Sequence, residues 1–118
     1  MIECGRRRKS LPPPQRFLWQ DLYAPRLDGS RVWLKLRPGE QMPAVLSAVE
    51  PTRVVWSSLW IDRPDDQVVL TVEAERDSSI LEFVWLTPTT PPPVSIATSR
   101  AKRLSALLFG ELRYTYGQ

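Results

Sequence analysis

Two proline clusters, Pro12 to Pro14 and the PTTPPP run at 88–93, set the limits of any sheet this chain can form. Proline has no backbone N–H and cannot serve a ladder, so a strand must stop at each cluster. Proline does suit the first turn of a helix, where that N–H would be unpaired anyway. Apolar residues at helical spacing follow both clusters. After the first, Leu18 and Leu22 lie four apart with Trp19 beside them, which predicts a short helix over Gln15 to Tyr23. After the second, Ala97, Ala101, Leu104, Leu108 and Leu112 recur every three or four residues, and Leu107 widens the stripe. Arg100, Lys102, Arg103 and Glu111 fall at other angles. The long amphipathic helix of the chain is therefore expected over 94–114.

Between the clusters the period is two. Residues 2–11 read as a weak first strand. A turn at Asp28 to Ser30 is expected to lead into a strand from Arg31, where Val32, Leu34 and Leu36 alternate with Trp33, Lys35 and Arg37. Ala44 to Val49 form another, closed by Glu50 and Pro51. Arg53 to Ile61 puts Val54, Trp56, Ser58 and Trp60 on one face and Val55, Ser57, Leu59 and Ile61 on the other. Both faces are apolar, which calls for cover on both sides or a homodimer contact. The turn DRPDD at 62–66 precedes a strand with Val68, Leu70 and Val72 facing in. Asp77 to Ser79 turns the chain into a partner strand carrying Leu81, Phe83 and Trp85. Loops this short make the strands antiparallel neighbours. Such a sheet has one apolar face to cover, and the last helix is the element long enough to cover it. The expected class is α+β, a helix-grip fold with a curved antiparallel sheet around a long C-terminal helix.

A chain of 118 residues with 42% apolar and 25% charged residues fits one globular domain spanning 1–118. There is no histidine, which removes the commonest general base and the commonest metal ligand. Cys4 is the single cysteine, so no internal disulfide can form. No apolar run approaches the ~20 residues of a membrane span, and a cytoplasmic setting is expected. Much of the net charge of +3 sits in the run Arg6 to Lys9. That run reads as a solvated edge or frayed terminus rather than a nucleic-acid face, which would need a wider basic surface with interleaved aromatics.

The order of motifs resembles the START-like, or SRPBCC, superfamily, which shares the Bet v 1-like fold. The likeness is strongest to polyketide-cyclase-like and Hsp90-ATPase-activator-like members. Pro14 to Leu22 (PQRFLWQDL) resembles that family's P-x-x-x-aliphatic-W-x-x-L opening. Glu50 to Trp56 and Asp77 to Phe83 resemble a characteristic strand and hairpin. Arg103-Leu104 and Leu107-Leu108 fall on the gripping helix. The resemblance implies a cavity between the concave sheet face and the last helix, suited to a lipid, a polyketide or another apolar small molecule. Two departures bear on it. The connection before Arg53 is short for the family, which implies a small cavity or none. Trp85 stands where the family often has a cavity histidine.

Trp56, Trp60, Phe83 and Trp85 are accordingly expected to face the helix residues Leu104 and Leu108, with Trp33 at the mouth. They form either a ligand pocket or a filled core. Ser57 and Ser58 lack a histidine partner for nucleophilic work. Asp62, Asp65 and Asp66 read as turn chemistry rather than cation ligands. Glu73, Glu75 and Glu82 face solvent, and Arg53 and Arg113 read as surface charges. No catalytic constellation, metal or cofactor is expected. Three function classes remain: an apolar-ligand module, a protein-interaction or co-chaperone-like module using the terminal RYTYG, and a cyclase-type enzyme.

Overall fold

In a computed structural model that describes residues 1–25 and 32–117, both proline clusters act as brakes. Strand β1 (Ile2–Leu11) stops at the first, and helix α1 (Gln15–Tyr23) starts directly behind Pro14. The Pro14 carbonyl accepts the amides of Phe17 and Leu18, and the Pro93 carbonyl accepts those of Ile96 and Ala97. Each proline thus lends its oxygen to the first turn while offering no N–H. Helix α2 (Val94–Ser105) continues into a π-helical segment, Ala106–Leu112.

Four more strands lie between the helices: β2 (Val45–Val49), β3 (Arg53–Ser57), β4 (Gln67–Ala74) and β5 (Ser79–Thr87). All neighbours are antiparallel, and the order across the sheet is β1-β5-β4-β3-β2. The two edge strands each carry a bulge, at Glu3/Gly5 and at Val45/Ser47. A bulge bends its strand and increases the local twist, which curves the sheet at both margins. Both helices lie on the concave face, α1 over β3 and β4 and α2 along β1.

The alternation expected for β4 and β5 holds: Val68, Leu70, Val72, Leu81, Phe83 and Trp85 are all fully buried on one face. Trp19 is buried, and its Nε1 donates to the Arg53 carbonyl at 2.9 Å. Two strand expectations fail. Residues 32–37 form no ladder, and the expected alternation is absent, with Trp33 and Leu34 consecutive and both buried. The Lys35 amide instead turns back to the Trp33 carbonyl at 3.1 Å. The remainder of that expectation, the turn at 28–30 and Arg31, lies outside the described residues. The strand expected to reach Ile61 ends at Ser57. The Ser58 hydroxyl accepts the Trp60 amide and donates to its carbonyl, bending the chain so that Trp60 bridges to Glu40.

Gly5 fixes how closely helix and sheet approach. A Cβ added there would lie 3.2 Å from Ala101 Cβ and 3.6 Å from the Trp85 ring. Gly5→Leu is expected to cost about 1–3 kcal/mol, the range for overpacking, measured by urea unfolding. An unchanged midpoint would show that β1 and α2 have room to part.

Candidate functional site

The seven aromatic and leucine residues expected at the concave face all lie there, in one buried cluster. Trp33 stacks on Trp56 with ring centroids 6.0 Å apart, and Trp60 meets Trp85 at 4.7 Å. Leu104 and Leu108 press on them from the helix, both fully buried. Phe83 stacks on Phe109 at 5.9 Å. Trp33 sits inside the cluster rather than at a rim. Two indole N–H groups are satisfied: Trp56 donates to the Leu22 carbonyl and Trp85 to Asp66 Oδ2, each at 2.9 Å. Among the described residues Trp33 Nε1 is buried and finds no hydrogen-bond partner.

The carboxylates sort into two groups. Glu82, Glu73 and Glu75 lie on the convex face, where they meet Arg6, Arg8 and Ser10. The Asp66 and Glu40 side chains are largely covered, and each is held by an arginine. Asp66 accepts Arg63 Nε at 2.7 Å, and the same guanidinium donates to Thr87 Oγ1 and to the Thr90 carbonyl. The DRPDD turn is thereby tied to the end of β5. Glu40 accepts two hydrogen bonds from Arg103, at 2.8 and 2.9 Å, and Arg103 also donates to the Lys35 carbonyl. Burial pushes the Glu40 carboxyl up, but the Arg103 hydrogen bond and the Arg37 amide outweigh it and hold it below its ordinary 4.5. Arg100 pairs with Asp62 at 2.9 Å and lies over the Trp60 ring at 5.1 Å, and its hydrogen bond lowers the Asp62 carboxyl. Ser57 Oγ is engaged by the Ala44 amide. Among the described residues no cluster of acidic or thiol side chains is arranged to hold a metal ion.

Open volume on the concave side lies beside this packed cluster. A groove of about 510 Å³ runs between β1 and the C-terminal helix. One rim carries Arg7, Arg8 and Lys9, the other Lys102, with Ser105, Ala106, Phe109 and Gly110 between them. The run at residues 6–9 is a solvated edge, as expected, with all four residues exposed, and it is not frayed. It is strand, and period two divides it. Arg6 and Arg8 face the convex side, whereas Arg7 is paired with Phe83 and Lys9 with Leu81 across the ladder and face the helix. Alternation applied to the run itself was the signal for this groove. Phe109 is half-buried in the π-helical segment, where the i→i+5 pattern shifts the register of the stripe.

No family model matches the chain, and no curated protein matches it in sequence. Solved structures do match its fold. CalU16 from Micromonospora echinospora superposes with a TM-score of 0.68 at 17% identity, over 95% of this chain and 73% of that one. The Aha1 dimer from Colwellia psychrerythraea gives 0.60 at 15% identity, over 94% and 99%. Ara h 8.0201 gives 0.61 at 13% identity, over 97% of each chain. The architecture is thus the START-like, Bet v 1-like helix-grip fold, as the sequence resemblance implied. No helix among the described residues is long and apolar enough to cross a membrane.

Proposed function

We propose that this START-like domain binds an apolar small molecule between its sheet and its C-terminal helix. The observation that carries the reading is the groove of about 510 Å³ beside Phe109, whose ring rests on Phe83 at the margin of the aromatic cluster. That volume lies within the ~300–1,000 Å³ of ordinary ligand sites. Phe109 is the removable part of the wall, because it is half-buried while Phe83, Trp85, Leu104 and Leu108 are fully buried. Trp33, Trp56 and Trp60 extend the same apolar wall inward, and a ligand tail that displaces Phe109 meets it.

Titration with dodecanol is expected to change tryptophan emission saturably. Ala106→Phe, exposed between the rims of the groove, should abolish that change while shifting stability by no more than about 0.5 kcal/mol, the usual scale for a surface substitution. Absence of a saturable change with any apolar probe would overturn this reading. The domain would then work through its surface, where edge strand β2 (VLSAV) carries no charge and exposes Leu46 and Val49. An uncharged edge of that kind invites pairing with a second chain, including a second copy of this one.

A further inference from the structure

We infer that the ligand of this groove is an anionic amphiphile, taken up as a free monomer with its acidic head between β1 and α2. The inference rests on the apolar-ligand reading above and names the chemical class of that ligand. Its basis is the distribution of charge. Arg7 and Lys9 reach the groove from β1, and Lys102 reaches it from α2. Among the described residues no carboxylate lines the groove, and none pairs with these three side chains.

The contrast within the basic run is what makes the cluster informative. Arg6, Arg8, Arg63, Arg100 and Arg103 each have a carboxylate partner. Arg6 and Arg8 belong to the same basic run, yet the strand turns them to the convex face, where Glu82 and Glu73 neutralise them. Within that run, the residues left unneutralised are the ones that period two turns toward the helix. Like charges gathered on the two rims of one groove repel one another, and a bound anion relieves that repulsion. The side chains between the rims, Ala106 and Phe109, offer nothing to an anion but suit a hydrocarbon tail. A charged head and an apolar body are thus recognised side by side. The groove volume is enough for one such molecule.

Laurate and dodecanol, matched in chain length and used below the concentration at which laurate forms micelles, separate the two readings. Laurate is expected to bind on the order of tenfold more tightly, since exposed charge pairs contribute modestly each and three act together. The preference should shrink when salt is raised, as expected for solvent-exposed charges. In Arg7→Gln/Lys9→Gln/Lys102→Gln, whose side chains are on the surface, the ratio of the two affinities should fall to about one. Equal affinities in the unmodified protein would overturn the anionic inference and leave the apolar-ligand reading standing. If neither probe binds, both fall. A third arm uses phosphatidylglycerol vesicles. Sedimentation of the protein with vesicles, without any saturable response to laurate monomer, would overturn the inference in favour of docking to a membrane surface.

Discussion

Replacing Trp85 by alanine is expected to destabilise the domain by about 3–5 kcal/mol, the range for a large aromatic removed from a core. Trp85 is fully buried, contacts Trp60 with centroids 4.7 Å apart, and supplies an N–H to Asp66. Alanine removes the ring and also leaves a buried carboxylate short of a donor. Trp85→Phe separates the two contributions. It retains most of the apolar volume but not the indole N–H, and should cost about 1–3 kcal/mol, the desolvation penalty of an unmet buried acceptor. Urea unfolding measures both, and the slope of the transition should stay unchanged. A loss below about 1 kcal/mol for the alanine variant would show that the ring does not anchor the cluster.

Arg103→Met should be comparably severe. It strands Glu40 in a buried position, and breaking one side of a buried pair costs about 3–5 kcal/mol. Arg103→Met/Glu40→Met should recover most of that loss, because the second change removes the uncompensated charge. The pH dependence carries a sign that checks the assignment. In the unmodified protein the Glu40 carboxyl lies below 4.5, so the pair's contribution is complete above that pH. It is lost as pH falls through the lower value that Glu40 has in the fold. In Arg103→Met the effect of burial stands without its main opponent and raises the Glu40 carboxyl. That variant should therefore gain stability relative to the unmodified protein as pH drops through the carboxylate range. Parallel pH profiles for the two proteins would show that the pair is not coupled.

What could be read from the sequence was whatever depends on local periodicity. The helices behind Pro14 and Pro93, the inward faces of β4 and β5 and the inward side of Trp56 on β3 follow from spacing alone. Residues 32–37 escaped because the burial of Trp33 beside Leu34 is decided by the concave face they meet, not by their own alternation. The ion pair of Glu40 with Arg103 joins positions 63 apart, and no local pattern announces such a meeting. The groove was half legible. Composition marked the basic run as a surface feature, and only its strand register shows that two of its cations lie on the helix side of the sheet.

The side-chain hydrogen bonds and ion pairs of the C-terminal helix have an unequal distribution. Among the described residues Arg100 reaches Asp62, Arg103 reaches Glu40 and the Lys35 carbonyl, and just beyond the helix Tyr116 donates to Asp21 of α1 at 2.6 Å. All of these ties run to the side of the molecule that carries α1 and the 32–62 segment. Toward β1 the helix is met by the small contact of Gly5 with Ala101 and by the ring of Phe109 on Phe83. The helix is therefore held differently along its two margins, by charge and hydrogen bonding on one and by close apolar packing against β1 on the other.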